Sequence, residues 1–188
     1  MAPPSTNLLE NPLIRRELIE EREYQLEIAR KATKQNTLVV LPTALGKTVI
    51  AVLVAAHFLY TYRDRKVLVM APTRPLVLQH HQTFLNFLRL RREDTAVLTG
   101  KTTPAQRMNV WNGPVRLYFC TPQVVANDFE RGLRLDNFSL LVFDECHRAR
   151  KNYAYTRVAQ AYVRDAPYPM IFAMTASPGS KREQIAEL

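Results

Sequence analysis

From residue 37 onward, six short apolar runs punctuate the chain: "TLVVL" (37–41), "KVLVMA" (66–71), "TAVLT" (95–99), "VRLYFC" (115–120), "SLLVFD" (139–144) and "MIFAMT" (170–175). They are rich in β-branched residues and lack a polar alternation, so each reads as a strand that is apolar on both faces. Segments of helical character lie between and after them, at about 46–62, 74–91, 104–111, 122–131, 152–165 and 180–188. Strands alternating with helices predict an α/β domain, a doubly wound and mainly parallel sheet flanked by helices on both faces. Upstream, "NPLIRRELIEEREYQLEIARKATKQ" (11–35) predicts one further helix. Asn11 would be its N-cap and Pro12 its first residue, with Leu13, Leu18, Ile19, Leu26 and Ile28 at helix-like spacing. The Pro-rich opening predicts a flexible stretch over 1–11, leaving 12–188 as a single domain.

Charge narrows the partners. The formal net charge is +9, and residues 1–35 contribute nothing to it, with six basic and six acidic side chains. The surplus lies in 36–188, where Arg predominates, and its planar fork suits bidentate contact with phosphate. A polyanion is therefore an expected partner. Cys120 and Cys146 form no disulfide framework and have no metal-ligand spacing. The longest apolar run, "VIAVLVAAHFLY" (49–60), is too short to cross a bilayer, and the first thirty residues are charged rather than signal-like. The expectation is a soluble, intracellular protein with no membrane partner, cytoplasmic or, in a eukaryote, nuclear.

The first strand runs into "LPTALGKT" (41–48), and an apolar helix follows at once, the setting a phosphate-binding loop requires. Thr43, Ala44, Leu45 and Gly46 would wrap the phosphates with backbone N–H groups. Lys47 would reach the β- and γ-phosphates, and the Thr48 hydroxyl would ligate Mg²⁺. Leu41 replaces the first glycine of the general pattern, and Ala44 stands where another glycine is frequent. Because the cradle works through N–H groups, Ala44 is compatible with it provided its φ is negative. Lying 97 residues beyond Lys47, "DECH" (144–147) puts two carboxylates at the end of the fifth strand. Asp144 is the expected carboxylate for Mg²⁺ and Glu145 the expected general base. Together the two motifs point to a nucleoside-triphosphate site with Mg²⁺ as a cofactor.

These residues resemble the first RecA-like domain of superfamily-2 helicases. "LPTALGKT", "APTRPLVLQH" (71–80), "TPQ" (121–123), "DECH" and "TAS" (175–177) match its motifs in order. Within that superfamily, "DECHRA", "NYAY" (152–155) and "TASPGS" (175–180) are most similar to the Hef/FANCM group of fork-remodelling helicases. The resemblance implies a RecA-like fold, ATP as the nucleotide, and a second RecA-like domain carrying an arginine finger and the remaining motifs. It also implies that this chain is a piece of a longer enzyme, slow alone, and that branched or forked DNA is the substrate. It assigns adenine contact to "REYQ" (22–25), with Gln25 matching adenine N7 and N6 and Arg22 supporting it, while Tyr24 reads as core packing. An RNA-directed helicase of the Dicer/RIG-I-like kind, or a non-catalytic nucleotide-gated binding module, are the alternatives.

The other strand ends carry candidate nucleic-acid contacts. Thr73, Arg74 and Gln79 follow the second strand, Thr99, Gly100 and Lys101 the third, and Thr121 and Gln123 the fourth. Small hydroxyls, a guanidinium and helix N-termini suit a phosphodiester backbone, although each threonine reads equally as a plain N-cap. "RLRR" (89–92) reads as a solvated loop and "RARK" (148–151) as a domain or nucleic-acid contact. His147, Thr175 and Ser177 are the expected coupling residues between nucleotide and nucleic acid.

Overall fold

The six apolar runs form strands β1 (Thr37–Val40), β2 (Lys66–Met70), β3 (Thr95–Leu98), β4 (Leu117–Cys120), β5 (Phe138–Asp144) and β6 (Ile171–Thr175). The computed structural model describes residues 7–147 and 153–176. Among these, the strands build one sheet in the order β1-β6-β5-β2-β4-β3, and every neighbouring pair is parallel. Parallel neighbours need crossover connections. Helices α1 (Glu23–Ala32), α2 (Lys47–Thr61), α3 (Arg74–Phe87), α4 (Pro104–Trp111), α5 (Pro122–Phe129) and α6 (Tyr153–Asp165) cover the two faces.

Alternate strand residues serve opposite cores. In β2, Val67 and Val69 pack with α1, α2 and α3, whereas Leu68 and Met70 pack with α4, α5 and α6. β5 divides the same way, Leu140 and Val142 against Leu141 and Phe143. This double burial is why the runs show no polar alternation. Helix α2 lies between the sheet and α1, so Val52, Val54, Ala55 and Ala56 are all fully buried and its sequence is apolar on every side. Arg116 closes its far end, donating to the carbonyls of Leu59, Tyr62 and Arg65 at 2.7–3.0 Å.

A buried ion pair fixes α4 to α5. Arg107 donates through Nε and Nη2 to the two Asp128 oxygens at 2.8 and 2.7 Å, and Trp111 Nε1 adds a third bond at 2.9 Å. Arg107 Nη1 also donates to the Thr102 carbonyl at 2.6 Å, which anchors the turn that follows β3.

The single helix expected over 11–35 does not form; only Glu23–Ala32 is α-helical. Asn11 accepts the Leu13 N–H in a side-chain turn and does not cap a long helix. Residues 13–15 run beside the segment after α3. Arg15 N donates to Phe87 O, Arg89 N donates to Leu13 O, and Ile14 pairs with Leu88. Ile14 and Ile19 are buried while Leu18 is exposed, so the buried residues are five apart, a spacing no helix face supplies. The same pairing ends α3 at Phe87, short of the expected residue 91, because Leu88 turns extended to meet Ile14. Order also begins earlier than the expected residue 12, since Leu8 and Leu9 are buried in a 3-10 turn. In "RLRR", Arg89 and Arg91 pair with Glu17 and Asp94 at the surface. The helix expected at 180–188 and the "RARK" cluster lie outside the described residues.

Replacing Asp128 with Ala would leave the Arg107 guanidinium buried without its partner. The expected cost is ~3–5 kcal/mol of stability, read from urea unfolding. An unchanged midpoint would remove the ion pair from this account.

Candidate nucleotide and nucleic-acid site

Beyond β1 the chain makes a 3-10 turn, Thr43–Leu45, closed by Leu45 N donating to Pro42 O at 3.0 Å. Among the described residues Glu145 is the one non-glycine with positive φ, so Ala44 lies on the negative side that its methyl group tolerates. Gly46 is the glycine the loop requires. Its φ of 75° and ψ of 44° are left-handed, and a Cβ there would come within 2.5 Å of Gln25 Nε2. Helix α2 begins at the next residue, so its first N–H groups point back toward the loop. Lys47 is 7% exposed, with Nζ donating to Leu41 O at 3.2 Å; Thr48, one residue on, is half-buried.

Helix α1 clamps this loop. Buried Gln25 donates through Nε2 to the Leu45 carbonyl at 3.1 Å and to that of Gly46 at 3.5 Å. The Tyr24 hydroxyl donates to the same Leu45 carbonyl at 2.7 Å, so Tyr24 holds the loop and is not the core residue its sequence suggested. Arg22 precedes α1 and bonds the Tyr24 hydroxyl and Glu20, contacts that raise its pKa above the ordinary arginine value.

The loop and the "DECH" box meet across β6. Thr175 pairs with Val40 and Met174 with Asp144, which brings three strand ends level. Leu41 N donates to Thr175 O at 3.2 Å, while Thr175 Oγ1 lies 2.7 Å from His147 Nδ1. His147 Nδ1 in turn stands 3.5 Å from Glu145 Oε2. The expected coupling pair is thus in contact; Ser177 lies outside the described residues. Asp144 is 6% exposed, and its Oδ1 accepts the Glu145 N–H at 2.8 Å. Glu145 itself has φ 53°, a conformation that costs about 1–3 kcal/mol in a non-glycine residue and is held by its neighbours. Burial and the charge of Asp144 push the Cys146 thiol up to about 11, and burial raises that of Cys120 further, so both stay protonated at neutral pH.

The donor set fits a magnesium ion. Among the described residues no three His, Cys, Asp or Glu side chains converge as a complete metal cage. A hydroxyl and one carboxylate beside a phosphate loop match a cation that keeps most of its shell as water and phosphate oxygen.

The remaining candidates occupy the other half of the same edge, beyond the adjacent strands β2, β4 and β3. Thr73 and Thr121 precede α3 and α5 without a side-chain capping bond, so capping does not consume their hydroxyls. Arg74, Gln79, Gly100, Lys101 and Gln123 are exposed. Thr99 is buried and accepts the Lys101 N–H, which shapes the turn and leaves Gly100 and Lys101 outermost.

Sequence reasoning passed over His80. Its Nε2 lies 2.6 Å from Asp144 Oδ2, and its buried Nδ1 lacks a hydrogen-bond partner among the described residues. An unmet buried polar atom costs about 1–3 kcal/mol. The signal was available, because position 80 falls three after Val77 and four before Phe84, on the inner face of α3.

A family model described as "DEAD/DEAH box helicase" matches residues 22–185. The chain is 41% identical over 169 residues to the "ATP-dependent DNA helicase mph1" of Sclerotinia sclerotiorum, covering 89% of this chain and 14% of that protein. It is also 41% identical over 165 residues to the "DEAD-box ATP-dependent RNA helicase FANCM" of Arabidopsis thaliana, covering 87% and 12%. Among solved structures, the Pyrococcus furiosus Hef helicase domain superposes with a TM-score of 0.86 at 45% identity, over 93% of this chain and 37% of that one. The chain spans under a quarter of the length of the curated relatives it matches.

Two substitutions separate the glycine that matters from the one that is missing. Ala44→Gly is expected to lower stability by about 0.4–1 kcal/mol through unfolded-state entropy and to leave ATP affinity unchanged. Gly46→Ala is expected to cost about 1–2 kcal/mol from its left-handed backbone and to weaken ATP binding. Thermal unfolding and calorimetric ATP titration read both effects, and equal behaviour of the two variants would contradict the loop geometry.

Proposed function

The chain belongs to the DEAD/DEAH box helicase family, and from that premise we propose that it is the ATP-binding motor domain of a DNA helicase or translocase that remodels branched, fork-like DNA. The observation that carries this reading is the hydrogen-bonded line from the Lys47 loop through Thr175 to His147, whose Nδ1 stands 3.5 Å from Glu145, set beside a separate exposed rim over β2, β4 and β3. A triphosphate lies along the loop, held by its N–H groups and by Lys47, which turns from the Leu41 carbonyl to the β- and γ-phosphates. Thr48 and Asp144 hold Mg²⁺, which when bound offsets phosphate charge. Glu145 orients and deprotonates the attacking water.

Gln25 has its donor engaged by the loop, whereas its Oε1 enters no hydrogen bond among the described residues, which leaves an acceptor for the adenine amino group. Thr73, Arg74, Gln79, Gly100, Lys101, Thr121 and Gln123 grip the nucleic-acid backbone, with Thr99 shaping their turn. Such binding weakens steeply with salt and reads little sequence. His147 and Thr175 transmit nucleotide state to that grip; Ser177, assigned the same role by the sequence, lies outside the described residues. An arginine finger from a second RecA-like domain is worth ~10³–10⁵ in rate, so the 188-residue chain alone turns ATP over slowly.

Hydrolysis by the chain joined to its second RecA-like domain tests the proposal, with no nucleic acid, forked DNA or double-stranded RNA, each beside Lys47→Ala. Stimulation by forked DNA that is lost in Lys47→Ala is expected. Stimulation by RNA alone would move the protein to the RNA-directed branch, and turnover indifferent to Lys47 would remove the motor reading. Thr175→Ala is expected to retain ATP hydrolysis while weakening strand separation; equal loss of both activities would end its transmission role.

A further inference from the structure

Helix α3 carries one side chain that packing does not require. Val77, His81 and Phe84 line its inner face, and an apolar residue at position 80 would complete that face. His80 stands there instead, 6% exposed, with its Nδ1 unmet among the described residues. Its Nε2 lies 2.6 Å from Asp144 Oδ2. A carboxylate that is to ligate a cation only accepts hydrogen bonds, so Nε2 carries the hydrogen in this contact.

The second Asp144 oxygen accepts the Glu145 N–H at 2.8 Å. One donor therefore sits on each oxygen, and turning the carboxylate about its axis would break both bonds. Each oxygen retains a further lone-pair direction, so a cation can be ligated without displacing either donor. The two donors differ in origin: one belongs to the box itself, while the other comes from the helix that opens at Thr73 and Arg74. Hydrogen bonds of this outer kind orient metal-ligating groups and set their affinity.

We propose that His80 is a positioning residue for the cation: through its Nε2–H, α3 holds Asp144 in the orientation that ligates Mg²⁺. This rests on the reading of the site as a Mg²⁺–ATP site. It also accounts for the unmet Nδ1, since a leucine would fill the space without an orphaned atom but would leave Oδ2 without its donor and Asp144 free to turn. A local defect kept beside a reactive site is where such compensation is expected.

The test is a Mg²⁺ titration of the 188-residue protein with a fluorescent non-hydrolysable ATP analogue, beside the same binding in EDTA. His80→Leu keeps the apolar fit and removes the donor. It is expected to raise the Mg²⁺ concentration for half-maximal effect by ~10–100-fold while leaving affinity in EDTA unchanged. His80→Gln places an amide N–H where Nε2 was and is expected to restore most of the Mg²⁺ response. Parental Mg²⁺ dependence in His80→Leu, with the dependence lost in Asp144→Asn, would overturn the role of His80 alone. Mg²⁺ dependence untouched in Asp144→Asn would overturn the metal reading beneath it. A measurement on the parent protein needs no variant at position 80. Histidine ¹⁵N spectra are expected to place a hydrogen on His80 Nε2, with its signal moved by Asp144→Asn, whereas the Nδ1–H tautomer would overturn the proposal.

Discussion

Neighbouring parallel strands cannot be joined by a hairpin, so each must cross over and return in the same direction. With all six strands parallel, all six carboxyl ends emerge on one edge of the sheet. Everything the chain can do chemically depends on that constraint. Lys47 and Asp144 lie 97 residues apart in sequence, yet only β6 separates β1, which leads into the Lys47 loop, from β5, which ends at Asp144. The sheet order also divides the edge, with β1, β6 and β5 under the phosphate loop and the acidic box, and β2, β4 and β3 under the exposed hydroxyl and basic side chains.

Supports reach the nucleotide half from outside the sheet. Gln25 and Tyr24 of α1 tie down the loop through the Leu45 carbonyl, and His80 of α3 reaches Asp144. The features that cost stability collect in the same place: a left-handed Glu145, an unmet nitrogen on His80 and a buried Lys47. The surrounding cores, apolar and closely filled on both faces, hold these local defects in place. Arg107 and Asp128 do comparable work on the other half, anchoring the turn that presents Gly100 and Lys101.

The strands and five of the helices were legible because burial on two faces leaves local signatures, and the loop after β1 and the acidic box stood out as strand-end sequences. Every strand appeared within two residues of its expected limits. The segment before α1 was not legible. Its apolar residues mimicked a helix, while Ile14 in fact answers to Leu88, a partner 74 positions away that no local window contains. Tyr24 was misread for a related reason: its hydroxyl finds the phosphate loop, and only the fold brings the two together. His80 was visible as a polar residue on an inner helix face, but its partner across the sheet was not. The absent glycine at 44 proved less informative than the one present at 46, whose left-handed turn the sequence pattern does not spell out.

The central claim is that one triphosphate site spans the loop after β1 and the end of β5. A crystal structure of the protein with Mg²⁺ and a non-hydrolysable ATP analogue tests it most directly. The account expects terminal phosphate oxygens within hydrogen-bond distance of Lys47 Nζ, with the cation between Thr48 Oγ1 and the Asp144 carboxylate. An analogue found elsewhere with this loop empty, for instance in the cavity of about 540 Å³ bordered by Arg134, Arg157 and Arg164, would contradict it.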